Sequence, residues 1–199
     1  MRLSALFLTA LVALVAGSCA PNVSPSGFLS NYSQLGPDIT RHDAAAVYVD
    51  PVVDFKKYDS LMVDPVTVYP GTSGISQEKQ TELGSYLRRA FVAELGRDYE
   101  IVDVAGPTTM RLRAALAGVA DPAAGTGLKA FVKTTQIEAE LLDSSSDSRL
   151  AAISGKTLSD LNPKDKIETI EDIKVLLDTS AAGLASRLVD LRARIQSGS

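Results

Sequence analysis

Two stretches of this sequence alternate apolar and polar residues with a period of two. Thr109 to Val119 sets Met110, Leu112, Ala114 and Leu116 on one side and Arg111 and Arg113 on the other. Phe131 to Leu142 sets Ile137, Ala139 and Leu141 opposite Gln136, Glu138 and Glu140. Successive side chains of a strand point to opposite faces, so each stretch predicts a strand with one face against a core. The polar run Asp143 to Ser148 followed by Arg149 to Thr157 predicts a return strand and hence a hairpin. A sheet with one apolar face needs a second layer, and this requirement limits the chain to a few architectures.

Two helical patterns supply that layer. From Ser76 to Leu95, Leu83, Leu87, Ala90, Phe91 and Leu95 share one face, with Ser76 as N-cap, Glu78 in the first turn and Gly96 as C-cap. Within about 165–196, Ile170, Ile173, Leu177, Ala181, Leu184, Leu188, Leu191 and Ile195 step by three and four. Asn162-Pro163 suits the start of this helix, and Gly183 weakens its middle. Two more strands are expected. Ser60 to Tyr69 has Pro65 at an edge or bulge, and Tyr99 to Val104 is short. The order β-α-β-β-β-β-α predicts an α+β fold, a two-layer sandwich with a mostly antiparallel sheet and both helices on one face.

Composition enters through what it excludes. The chain has one Cys and one His in 199 residues. An intrachain disulfide and a Cys-based metal cluster are therefore impossible, and at most one imidazole is available as a base. The formal charge of −4 argues against a nucleic-acid footprint. No metal and no cofactor is expected.

The lone Cys is also where the address is written. Arg2 precedes an apolar run from Leu3 to Ala16, shorter than the ~20 residues of a transmembrane helix, and small residues Gly17 and Ser18 lead to Cys19. Ala16-Gly17-Ser18-Cys19 resembles the lipobox of bacterial lipoproteins, with Ala16 in place of the usual Leu. The resemblance implies that residues 1–18 are a signal peptide and that Cys19 becomes acylated, with palmitate among the acyl chains. Two or three chains at about 0.8 kcal/mol per buried methylene hold a protein stably in a bilayer. Ordinary cleavage after Ser18 is the competing reading. Ala20, rather than Asp, follows the Cys; by resemblance to Gram-negative lipoproteins this implies the outer membrane, periplasmic face. Removal of residues 1–18 leaves 19 Lys+Arg against 24 Asp+Glu, or −5. Acyl chains rather than charge would then hold the protein at the membrane.

Residues 19–46 are punctuated by Pro21, Pro25, Gly27, Gly36 and Pro37 and read as a flexible tether to a single α+β domain at 47–199. A coil of that length reaches about 30 Å. Phe28, Leu29, Tyr32 and Leu35 recur within it at near-helical spacing. One reading folds them back on the domain; a sharper one makes Phe28, Leu29 and Tyr32 a partner-docking segment.

Four stretches carry a further resemblance: Ser26 to Leu35, Tyr58 to Val68, Tyr99 to Asp103 and Gly106 to Ala114. They resemble the bacterial lipoprotein family called domain of unknown function 3313, as does the hairpin from Glu138 to Ala152. The resemblance implies an envelope lipoprotein and supplies no catalytic residue.

The remaining motifs have structural explanations. Gly155-Lys156-Thr157 lacks the first Gly of a P-loop, since Leu150 stands there. Ser76-x-x-Lys79 lacks its companion motifs, and a helix cap explains Ser76. His42 lies at the edge of the tether, without a nucleophile elbow elsewhere. Asp50, Asp54 and Asp64 cluster in sequence, Asp50 and Asp64 within two Val-Asp-Pro-Val repeats that suit turns and extended backbone, and Asp143 and Asp147 sit in a polar turn that is not a calcium loop. The expectation is a non-enzymatic binding or assembly module of the cell envelope, with an envelope protein as partner. The alternative is a carrier of a lipid or small apolar ligand, held between helix layer and sheet.

Overall fold

The computed structural model describes residues 25–193, apart from 43, 70–73, 119–122, 124 and 162–166. In chain order the elements are β1 (Ala44–Val49), β2 (Ser60–Val63), β3 (Thr67–Val68), α1 (Gln77–Leu95), β4 (Glu100–Ile101), β5 (Thr109–Gly118), α2 (Gly127–Thr134), β6 (Thr135–Asp143), β7 (Arg149–Thr157) and α3 (Ile170–Ala193). Short 3-10 turns at Phe55–Lys57 and Leu158–Leu161 follow β1 and β7.

One sheet runs in the order β1-β7-β6-β5-β2-β4, with β3 beside β5. The hairpin β6-β7 and its flanking pairs to β5 and β1 are antiparallel. Strands β2 and β3 lie parallel to β5, and β2 lies parallel to β4. The sheet is therefore mixed rather than mostly antiparallel. Its parallel part exists because α1 carries the chain from β3 back to β4, and a helical crossover returns a strand in the same direction.

On one face Leu61, Met110, Leu112 and Leu116 of the sheet meet Leu83, Leu87 and Phe91 of α1 and Ile173, Leu177 and Leu188 of α3. The two helices are tied together by Tyr86 Oη donating to Asp178 (2.8 Å) and by Lys174 beside Glu82 (3.6 Å). The cap at Ser76 is present: its Oγ accepts from the Lys79 N–H at 3.4 Å. At the start of α3, Thr169 Oγ1 accepts the Asp172 N–H while Asp172 Oδ2 accepts the Thr169 N–H, a reciprocal capping pair. No helix among the described residues is long and apolar enough to cross a membrane.

The other face is not left to solvent, and the two-layer expectation is corrected here. Residues 25–42, expected as tether, are packed from Ser26 onward. Phe28, Leu29 and Leu35 are buried against Ala46, Ala115 and Ala152. Gly36 then exchanges both backbone hydrogen bonds with Val47 (2.8 and 2.9 Å), covering the open edge of β1. The chain continues round that edge to the helix side, where Asp38 and Arg41 meet α3, and enters β1 at Ala44. Small residues on the sheet admit this strap, and its Pro and Gly residues suit a chain that must bend at an edge.

Two element boundaries also move. Ser60 to Tyr69 splits into β2 and β3 at Asp64-Pro65-Val66, because Pro65 has no N–H to extend the ladder. Phe131 to Thr134 is helical; the alternating pattern and β6 both begin at Thr135. The expected start of the last helix at Asn162-Pro163 lies outside the described residues. Cys19 and the signal segment 1–18 lie outside them too.

Candidate functional site

Two charged or open places on this fold invite a functional reading, and they sit on opposite faces of the same hairpin. On the strap face, Glu138 and Glu140 of β6 are both fully buried. A buried carboxylate is costly unless every lone pair is used. Glu138 accepts from Ser26 Oγ (2.6 Å), Tyr32 Oη (2.7 Å) and Gln136 Nε2 (2.8 Å). Tyr32 Oη also accepts the N–H groups of Gly27 and Leu29, so one phenol organises the whole turn. Burial raises the Tyr32 phenol above its ordinary value, Glu138 adds to this against Ser26 and Leu29, and the group stays a proton donor. Glu140 accepts from Ser30 N–H and Oγ (both 2.7 Å) and pairs with Arg113 (3.1 Å) and Arg149. The Arg113 guanidinium lies over the Phe28 ring at 5.3 Å. These groups are committed to holding the strap.

Phe28, Leu29 and Tyr32, predicted as candidate docking residues, are therefore turned inward on the protein's own sheet. Among the other singled-out residues, Asp50 and Asp54 each accept a backbone N–H two residues on, at 3.0 Å. Asp64 pairs with Arg111 at 2.9 Å. Asp143 accepts Tyr58 Oη (2.8 Å) and the N–H groups of Ser145 and Ser146. Burial raises its carboxyl, but those donors outweigh it and hold the group at about 2. Asp147 and His42 both take positive φ, 55° and 57°, and the His42 carbonyl accepts Lys156 Nζ at 2.8 Å. Gly155 is glycine for a packing reason: a Cβ there would lie 2.8 Å from the Ile137 carbonyl oxygen.

The helix face contains the second place. Helices α1 and α3 cover the β2-β5 half of the sheet, and β7 and β1 extend beyond α3. A trough of about 370 Å³ runs between α3 and β1. Its floor is Ala139, Leu141, Ala151 and Ile153, its helix wall Leu184, Leu188 and Leu191, and its outer wall Val47 and Val49. The trough exists because small residues on β6 and β7 lie where larger ones would meet the helix. Ile39, 75% exposed, stands at its lip.

The rim is polar and paired. Arg187 of α3 bonds Asp38 at 2.5 Å, and Arg41 bonds Asp190 (3.2 Å) and Ser186 (3.1 Å). Asp38 also accepts the N–H groups of Arg41 and Ala44, both at 3.2 Å. Burial pushes the Asp38 carboxyl up, but Arg187 and the two N–H donors prevail and hold it well below the usual carboxylate range. The strap's last turn is thus pinned across the trough by two ion pairs. A volume in the range of small-molecule sites (roughly 300–1,000 Å³), apolar walls and a few fixed polar groups describe a ligand pocket.

Comparison with known proteins places the sequence. The model of the family described as "Protein of unknown function (DUF3313)" matches residues 24–184. The chain belongs to the DUF3313 family. This DUF3313 protein is 26% identical to the uncharacterized lipoprotein YdcL of Escherichia coli K12, over 87% of this chain and 91% of YdcL. The YdcL of strain O157:H7 matches to the same extent. Among solved structures, a DUF4136 family protein from Bacteroides thetaiotaomicron superposes with a TM-score of 0.45 at 9% identity, covering 73% of this chain and 95% of that one. The PelC dodecamer from Paraburkholderia phytofirmans gives 0.39 at 15% identity, over 75% and 96% of the respective chains. The family match begins one residue before the described structure and spans the strap, so the strap belongs to the family's domain.

The trough lies between helix layer and sheet, where the carrier reading expects a ligand, but the residues that line it are not marked as a site by the sequence. The only hint in the sequence was the concentration of Ala and Gly at 139, 151, 155 and 183, and alternation alone does not say which small residues face an open space.

Proposed function

We propose that this DUF3313 protein is a lipid-anchored lipoprotein of the cell envelope. Its folded domain is a non-enzymatic binding module that holds a small apolar ligand in the trough along α3. The anchor is Cys19, and the membrane is the outer one, at its periplasmic face. The lipobox-like Ala16-Gly17-Ser18-Cys19 and the lipoprotein relative YdcL support the anchor. Ala20 after the Cys supports the outer membrane.

The observation that carries the binding reading is the half-open apolar trough of about 370 Å³. Exposing that much apolar wall costs about 25 cal/mol per Å², which a ligand chain would recover on entry. The titratable side chains at the rim are engaged with one another, Arg187 with Asp38 and Arg41 with Asp190, which suits retention of a ligand better than its chemical change.

The chain has no Trp, so Ile39→Trp places a single indole at the lip. Octanoate added to this variant is expected to shift the indole emission to the blue in a saturable way. Emission that stays constant up to the solubility of octanoate overturns the binding reading. Separately, Cys19→Ser is expected to abolish incorporation of labelled palmitate and retention in the membrane fraction; unchanged retention overturns the anchor.

A further inference from the structure

The trough does not end at Leu184. A second apolar lobe of about 190 Å³ lies beside it and shares Ala139, Ile153, Leu184 and Arg187 with the first. It is closed by Phe91, Leu161 and the α3 positions Thr179, Ser180 and Gly183. The two lobes follow one another along α3 from Leu191 to Thr179, about 18 Å of helix axis at 1.5 Å per residue. Two small apolar lobes set one after the other along a single helix fit a linear hydrocarbon chain better than a compact ring system.

Gly183 gives this reading an independent footing. It lies in the middle of a 24-residue helix, where glycine is among the least favourable residues. Its backbone does not take positive φ. A Cβ built on it meets nothing within 4 Å. Neither backbone geometry nor close packing calls for glycine there. What its missing side chain does is leave the second lobe open.

We infer that the ligand is a single linear acyl chain, and that Gly183 is the residue that admits chains longer than the first lobe. This inference rests on the binding reading above. The head of the amphiphile stays in solvent near Ile39, the first methylenes fill the wall of Leu188 and Leu191, and the tail passes beneath Arg187 into the second lobe.

The test uses the full chain in phosphatidylethanolamine–phosphatidylglycerol vesicles, with Ile39→Trp as reporter and octanoate and myristate as ligands. Gly183→Leu fills the second lobe and is expected to weaken myristate about tenfold while leaving octanoate within twofold. Gly183→Ala adds one methyl group in open space. It is expected to melt no lower than the parent and to weaken myristate two- to threefold, which keeps the test informative should Gly183→Leu fold poorly. If octanoate binds and myristate is indifferent to both substitutions, the second lobe takes no part and this inference fails while the binding reading stands. If neither acid binds the parent, both fail together.

Discussion

The two faces of the β6-β7 hairpin answer the same problem in opposite ways. Every residue of β6 is buried, so both faces had to be covered. On the strap side the cover is close-fitting: Phe28, Leu29 and Leu35 pack on small sheet residues, and two buried carboxylates receive hydroxyl, amide and guanidinium donors from the strap and neighbouring strands, while Arg149 Nε and Ser154 Oγ are buried without a partner among the described residues. On the helix side the cover stops short: beside α3 the apolar floor of Ala139, Leu141, Ala151 and Ile153 lines an open trough with Ile39 at its lip. The contrast follows from the cost of errors. An unpaired buried charge costs several kcal/mol, so both carboxylates are fully engaged. An exposed apolar wall costs a fraction of that and can be kept for a ligand.

Substitutions can break this comparison, beginning with the largest effect. Glu140→Ala leaves Arg113 and Arg149 beside an apolar hole. It is expected to cost about 3–5 kcal/mol in denaturant unfolding and to open residues 26–42 to protease before the rest of the chain. A loss below 1 kcal/mol would mean that the strap is not held by its carboxylate partners.

Asp38→Asn weakens the pin across the trough and is expected to cost about 2 kcal/mol near neutral pH. The folded carboxyl titrates below its unfolded value near 3.8, so its contribution is complete above that value and is lost as pH falls below it. The difference between parent and variant should therefore shrink on acidification, as followed by thermal melts from pH 6 downward. A difference that grows in acid would contradict the ion pair.

The adjacent residues Ala151 and Ala152 point to opposite faces and make the sharpest pair. Ala152→Leu drives a side chain into the packed strap and is expected to cost about 1–3 kcal/mol. Ala151→Leu enters the open trough, is expected to change stability by less than about 0.5 kcal/mol, and should abolish the octanoate response. Equal costs at both positions would show that the two faces are packed alike.

On the strap side a smaller effect than that of Glu140→Ala is expected for Tyr32→Phe, which removes one of the three donors to Glu138. A loss of about 1–2 kcal/mol is expected in the same unfolding assay.

Local signals carried far in this sequence. Ser76 caps α1 as its side-chain chemistry predicts, Gly96 ends the helix at the expected place though with a right-handed φ of −66°, and the alternation from Thr135 onward marks the hairpin and its facing. The Thr169–Asp172 capping pair at the start of α3 is equally local, seven residues beyond the expected start at Asn162-Pro163. The strap was harder. Its Pro and Gly content is shared by true linkers. What distinguishes it is the presence of Ser26, Ser30 and Tyr32 opposite two glutamates more than 100 residues later, a relation no local pattern contains. The burial of the polar side of β6 is likewise hidden, because alternation reports polarity and not what later covers it.

What the sequence determined by itself is therefore the local chemistry: the caps, the turns, the two-residue period, the lone Cys at a lipobox-like site, and the family. Which face is finished and which is left open is settled only by packing in three dimensions. That depends on the width of α3 relative to a sheet extended by β1, and on the strap turning the edge at Gly36. Both are properties of contacts between segments distant in sequence, where shape and not composition sets the energy.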